Sequence, residues 1–210
     1  MAAARRLRVN VSGLLVPLAT ISAWQALVST DVLDYEYLPA PREILDALVE
    51  LVGSGELAGD LGHTLGVALL AAVLALTLGG ALGLAIGLIP ALRVHLMASI
   101  DFLRTIPAVA LMPVALLILG PGPTTELILA VYAALWPVLL NTAGGVVTVH
   151  PRLYDVARML RLSPATTLRS IVIPAVAPAW LVGARVAAVI ALLVTVVAEM
   201  IISPQGLGGG

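Results

Sequence analysis

The sequence predicts an all-α membrane protein, a polytopic bundle of about five transmembrane helices that forms a single domain over residues 1–210. Composition is the first reason: 60% of the residues are hydrophobic and 11% are charged, whereas a soluble domain carries roughly a quarter charged residues. The second reason is that the apolar residues fall into long runs joined by short polar stretches. The net charge of −1 gives no indication of a nucleic-acid partner.

Five apolar runs are candidate membrane spans, because about 20 mostly apolar residues cross a bilayer. They are residues 11–28, 61–90, 106–119, 125–149 and 175–202. The third run is short and contains Pro107 and Pro113. Proline removes a backbone donor and clashes with the preceding turn, so we expect a kinked or broken helix there.

The arginines predict which side of the membrane each segment faces, because cytoplasmic loops are enriched in basic residues. With the N-terminus inside, nine of the eleven arginines are cytoplasmic: Arg5, Arg6, Arg8, Arg93, Arg104, Arg152, Arg158, Arg161 and Arg169. The first external segment, residues 31–60, then carries eight acidic residues and one arginine. We therefore expect a cytoplasmic N-terminus.

An amphipathic helix is predicted for residues 41–52 of this acidic segment, because apolar side chains recur there at helical spacing. Pro41 suits its first turn and Gly53 its end. Two interpretations stay open: a packing element lying flat on the outer membrane face, and a docking surface.

A polar loop at residues 150–174 separates the last two spans and carries four arginines. Ser163 followed by Pro164 is a helix-start signal, and Pro174 marks the entry to the next span. The loop is therefore predicted to form a short helix, a turn and a second short helix. Its apolar residues are too many for a solvated connector, which favours a docking element; they include Val156, Met159, Leu160 and Leu162.

This loop resembles the cytoplasmic signature of the permease subunits of ABC importers. The family pattern is Glu-Ala-Ala, three residues, Gly, nine residues, Ile, one residue and Leu-Pro. The positions here are Asp155-Val156-Ala157, Arg161, Ile171 and Ile173-Pro174. Four other segments resemble the subfamily that imports sulfonates, nitrate and taurine: LPAPREIL from 38, LRTIPAVALMPVALLILGPG from 103, LLNT from 139 and AEMIISPQGLG from 198.

The resemblance, over residues 38–208, implies a multi-pass permease of the bacterial inner membrane with no catalytic residue and no cofactor. Two such subunits, expected to be a homodimer, would form the pathway through the lipid bilayer. Two ATP-binding subunits would dock beneath, and an external solute-binding protein would deliver the solute. The residues implied in coupling to the ATPase are Asp155, Val156, Ala157, Leu160, Arg161, Ile171 and Pro174.

Arg161 departs from the family pattern, in which glycine would allow a left-handed turn. A non-glycine residue in that conformation costs roughly 1 kcal/mol or more. Either the turn is built differently or some stability is lost. Asp155 keeps the charge of the usual glutamate but has a shorter reach.

Small residues recur along the second span at Gly79, Gly83 and Gly87, which four-residue spacing puts on one helix face. Such faces let helix backbones approach closely in lipid. A static packing seam is favoured over one that moves during transport.

Two charged residues, Arg185 and Glu199, lie in the fifth span, where charges are costly and usually face a cavity or a partner. Arg185 either lines the pathway and attracts an anionic solute or packs against carbonyls of a neighbouring helix. Glu199 is a second candidate for the pathway, although a structural hydrogen-bonding role near the outer mouth is favoured.

Other chemistry has little support in the sequence. The absence of cysteine excludes disulfides and thiolate sites, and His63, His95 and His150 show no metal-ligand spacing. A secondary transporter is one alternative, but it predicts coupling-ion carboxylates within the spans, where Glu199 is the only candidate. A non-transporting remnant is another, because relatives usually continue into one more span.

Overall fold

A computed structural model describes residues 11–30, 38–203 and 205–209, with side chains from Leu15 onward. The arginines predicted to mark the cytoplasmic N-terminus, Arg5, Arg6 and Arg8, lie outside the described residues. The chain divides into two compact units, Met1–Ala58 and Gly59–Gly210.

The first unit contains two helices, α1 (Val11–Ser29) and α2 (Pro41–Ser54). The described apolar part of α1, Leu15–Ser29, is shorter than a full span requires. The Gln25 side chain of α1 accepts a hydrogen bond from the backbone N–H of Arg42 at 3.0 Å.

The start of α2 was predicted correctly and its end was not. Pro41 occupies the first turn, and Glu43 accepts a hydrogen bond from the Ala40 N–H at 2.9 Å. The predicted end at Gly53 is wrong, because Gly53 is still helical. Gly55 ends the helix instead, with φ of 81° in the left-handed region that favours glycine.

The second unit holds the membrane-type helices. They are α3 (Glu56–Leu88, which begins in the first unit), α4 (Pro90–Leu103), α5 (Met112–Leu119), α6 (Pro123–Val147), α7 (Pro151–Met159), α8 (Pro164–Thr167) and α9 (Ile173–Ile202). A 3₁₀ turn, Ala108–Leu111, precedes α5, and a π-helical turn, Leu168–Val172, joins α8 to α9.

Three helical segments of the described chain are long and apolar enough to cross a membrane: Glu56–Leu88, Pro123–Val147 and the continuous run Pro164–Ile202. The pair Pro90–Leu103 and Ala108–Leu119 forms a fourth span if counted together. The predicted fold class, an all-α polytopic membrane bundle, is confirmed.

The predicted break in the third apolar run occurs at Pro107. The two helical segments on either side of it are bent by 78°. Pro107 lies in extended backbone between them, as expected for a residue that cannot donate to a helix. Pro113 causes no break, because it lies in the first turn of α5, where its missing N–H has no helical partner.

Small side chains form the contact between α3, α6 and α9. Their fully or almost fully buried cluster consists of Ala71, Ala72, Ala75, Ala130, Ala134, Val138, Ala187 and Ala191. Trp180 of α9 packs over Gly80 and donates its indole N–H to the Leu76 carbonyl at 3.3 Å. Because lipid offers no hydrophobic force between helices, such close packing is what holds a bundle together.

The glycine face of α3 lies directly against α6. A Cβ added to Gly79 would lie 2.9 Å from the Leu135 carbonyl oxygen, and one on Gly83 would lie 2.6 Å from the Leu139 carbonyl oxygen. A Cβ on Gly87 would meet Val146 at 2.5 Å. Two of these three contacts involve backbone atoms, which cannot move away as a flexible side chain can.

Gly83→Ala should lower the free energy of unfolding by about 1–3 kcal/mol, because the new methyl group overpacks against backbone. Gly66→Ala is the matched control on the same helix, where an added Cβ has no neighbour within 4 Å. It should be stabilising by up to about 1 kcal/mol, the gain from glycine to alanine in a helix. Thermal unfolding of both purified variants checks this, and equal midpoints would contradict it.

Candidate functional site

The loop between α6 and α9 is built from two capped short helices. The His150 ring accepts a hydrogen bond from the Arg152 N–H at 3.2 Å at the start of α7. Ser163 Oγ accepts one from the Thr166 N–H at 3.2 Å at the start of α8. Pro164 follows Ser163 at the first helical position, so the helix-start signal was interpreted correctly. The His150 cap was not predicted, because histidine is not a usual capping residue.

Arg161 adopts the left-handed conformation expected for glycine, with φ of 51°. The Leu162 N–H bonds to the Ala157 carbonyl and the Arg161 N–H to the Arg158 carbonyl, both at 3.0 Å. These two bonds are the Schellman pattern that ends many helices. The turn is therefore built as the glycine pattern requires, and Arg161 carries the backbone strain.

Three apolar side chains, two in α7 and one directly after it, are exposed. We call them the loop ridge: Val156, Met159 and Leu160. Their exposed fractions are 46%, 82% and 65%. Ala157, in contrast, is 4% exposed and belongs to the inner face of the loop. Asp155 pairs with Arg158 at 2.9 Å on the exposed surface.

Buried valines anchor the loop to the bundle: Val146, Val149, Val172 and Val176. Ile171 is half-buried beside them, and Pro174 is exposed in the first turn of α9. The predicted coupling residues are thus divided between an exposed set and a packed set, and only the exposed set is free to contact a partner.

Arg185 lies on an exposed, otherwise apolar face of α9. Its neighbours Leu181, Val182 and Val189 are each more than half exposed. Arg185 has no ion pair or side-chain hydrogen bond with any other residue in the described part of the chain. The structure therefore does not show the carbonyl contact of the packing interpretation within this subunit.

Glu199 is completely buried near the end of α9 and makes several hydrogen bonds. Its Oε2 accepts from Thr64 Oγ1 at 2.9 Å and from the Gly208 N–H at 3.2 Å. The segment after α9 turns back over it, with Gly206 at φ of 89°. An added Cβ on Gly206 would collide with the Glu199 carboxylate, and one on Gly208 would collide with the Val196 carbonyl oxygen, so glycine is required at both positions.

Two further residues from other helices meet Glu199. His63 of α3 and Glu126 of α6 lie 3.0 Å apart, measured from Nε2 to Oε2. One ligand atom from each of His63, Glu126 and Glu199 lies within 4.8 Å of the others. Glu126 is completely buried, and the His63 side chain is 18% exposed.

The sequence did not reveal this cluster. Glu126 lies in the first turn of α6, where an acidic residue usually serves only to complement the helix dipole. His63 is the sole histidine of its helix. The three residues are separated by 63 and 73 positions, so only the tertiary packing brings them together.

Long apolar helices, a broken span and an exposed loop ridge define an integral membrane subunit, and the comparisons identify its family. A family model described as the inner membrane component of binding-protein-dependent transport systems matches residues 75–209. The chain belongs to this family of permease subunits, which are translocation components and not enzymes.

Individual relatives agree with this assignment. The putative aliphatic sulfonates transport permease protein SsuC of Bacillus subtilis is 34% identical over 198 residues, covering 94% of this chain and 72% of that protein. Its Escherichia coli counterpart is 31% identical over 193 residues, covering 92% and 73%. The nitrate import permease protein NrtB of Synechococcus elongatus is 34% identical over 109 residues, covering 52% and 39%.

Family membership places the chain in the inner membrane as a multi-pass protein. It also implies an ATP-hydrolysing partner and an external solute-binding protein. This separates the chain from secondary transporters, which were the alternative class.

Arg161→Gly should be more stable than Arg161→Ala by about 1 kcal/mol, because only glycine relieves the left-handed strain. Both variants remove the charge, so alanine is the matched control for the loss of arginine. Chemical denaturation of the purified subunit with its ATPase partner checks this difference. Equal stabilities would show that the turn is not left-handed in solution.

Proposed function

We propose that two copies of this chain form the membrane pathway of an importer for a small anionic solute, of the sulfonate, nitrate or taurine class. Arg185 carries this proposal. It is the one charged side chain exposed on α9 among the described residues, and relatives are named for aliphatic sulfonates and nitrate. An external binding protein delivers the solute, and two ATP-binding subunits drive its import.

The position of Arg185 supports a role in the pathway. It lies twelve residues after Ile173, roughly 18 Å along the helix axis. A cation at this depth is unfavourable against lipid and normally faces a cavity or a partner. Because no residue of the same subunit pairs with it in the described structure, the second subunit and the solute are the available neighbours.

Replacement of Arg185 by alanine should reduce uptake of the anionic solute about tenfold or more, because a hydrogen bond to a charged group contributes roughly 1.5–3 kcal/mol. Arg185→Lys should retain part of the activity, since it keeps the charge. Uptake of the radiolabelled solute into proteoliposomes that hold the whole transporter measures both.

The control for this experiment is Leu181→Ala, which changes an exposed neighbour on the same face without changing charge. It should transport normally. Unchanged solute affinity and uptake in a correctly assembled Arg185→Ala transporter would refute the pathway role.

The loop at residues 150–174 is proposed to be the cytoplasmic coupling element. The excess of arginine on its side of the membrane supports a cytoplasmic position and, with it, a cytoplasmic N-terminus. The loop ridge supplies the apolar surface that a partner would cover. Its anchor of buried valines gives it a rigid connection to α6 and α9.

Met159→Asp and Leu160→Asp should abolish co-purification of the ATP-binding subunit, because each places a charge at a desolvated contact. Both side chains are exposed in the isolated subunit, so the loop itself should fold normally. Pull-down from membranes that express both subunits measures the retained ATPase.

Met159→Leu and Leu160→Met are the matched controls, since they keep the apolar surface, and they should retain the ATPase. Failure of the unmodified chain to capture the ATPase would support the alternative of a non-transporting remnant. Capture by the aspartate variants would show that the loop ridge is not the contact.

A further inference from the structure

We propose that His63, Glu126 and Glu199 form a binding site for a divalent transition-metal cation of the Zn²⁺ class. The site lies where α3 and α6 begin and α9 ends, away from Arg185 and from the loop ridge. It does not depend on which solute the permease carries.

The donor set suits such an ion. One imidazole nitrogen and two carboxylate oxygens are ligands that Zn²⁺ accepts, with bonds of about 2.0–2.2 Å. Around a tetrahedral ion these atoms would lie roughly 3.4 Å apart. They now lie within 4.8 Å of one another, so small side-chain rotations would close them on the ion.

Unpartnered oxygens are a second and independent observation. Glu126 Oε1 and Glu199 Oε1 are both buried and have no hydrogen-bond partner. Buried polar atoms almost always have one, and an unpaired carboxylate oxygen away from water is especially costly. An ion bound between the two glutamates would satisfy both oxygens.

The charges also favour a cation at this site. Neither glutamate is paired with an arginine in the described part of the chain, and His63 is the sole basic partner of Glu126. A protonated His63 would balance one carboxylate and leave the other uncompensated, which is unfavourable in a buried site. A divalent cation with neutral imidazole balances both carboxylates.

The surroundings hold the ligands in position. Thr64 Oγ1 and the Gly208 N–H both donate to Glu199 Oε2, which leaves Oε1 free for the ion. Thr64 is itself fixed by the Leu207 N–H at 3.0 Å. Outer groups that orient ligands in this way are typical of metal sites. The partly exposed His63 side chain provides the route by which an ion enters.

The test is the metal content of the whole transporter, purified without a histidine tag and stripped with a chelator. After addition of Zn²⁺ and gel filtration, elemental analysis should give about one Zn²⁺ per permease chain. Glu126→Gln, Glu199→Gln and His63→Asn should each lose most of it. His95→Asn and Glu56→Gln, which change exposed residues outside the cluster, should keep it.

X-ray absorption at the zinc edge of the unmodified protein makes the test independent of whether the variants fold. It should show imidazole scattering together with oxygen ligands. The thermal midpoint should also rise with Zn²⁺ and fall with chelator, because a ligand of the native state stabilises it. Zinc-free wild-type protein, a spectrum without imidazole, or glutamine variants that bind as much zinc as the wild-type protein would overturn the proposal.

Discussion

The close approach of α3, α6 and α9 is the constraint on which the rest of the structure depends. Lipid supplies no hydrophobic drive for helices to associate, so packing and hydrogen bonds must hold them together. Gly83 of α3 and Gly183 of α9 each bring one helix against the backbone of α6. A larger residue at either position would overpack against backbone atoms of α6 and weaken this contact.

α6 is packed on both sides, by α3 and by α9, and it connects the two ends of the bundle. It begins beside the buried carboxylates and ends at Val147, next to the valines that anchor the loop. Its 25 residues extend roughly 37 Å. Pro137 lies inside α6, and a proline within a helix removes one backbone hydrogen bond. The helix therefore connects the loop to Glu126 but has a weaker point between its two ends.

The sequence was sufficient for features that depend on local chemistry. Three of the five predicted spans are helices of full membrane length, a fourth is the pair bent at Pro107, and the described part of the first is too short. Ser163 correctly marked the start of α8. Local signals failed where either of two nearby glycines could end the helix, as with Gly53 and Gly55 at the end of α2. They also failed for the His63 cluster, because three residues far apart in the chain carry no periodic pattern. The left-handed turn at Arg161 was predicted only as one of two ways to build the turn. The sequence does not show the two backbone hydrogen bonds that hold arginine in this conformation, from Leu162 to Ala157 and from Arg161 to Arg158.

The spacing of the two charges on α9 makes the environment of Arg185 independent of the environment of Glu199. Arg185 and Glu199 are 14 residues apart, roughly 21 Å along the axis, so neither can neutralise the other. Each charge must therefore find its own counter-charge, since unpaired charges are costly in a membrane protein interior. In the two proposals made above, the exposed arginine attracts an anionic solute, whereas the buried glutamates bind a cation. The proposed solute site and the proposed ion site thus rest on the same rule, applied to opposite signs at two depths of one helix.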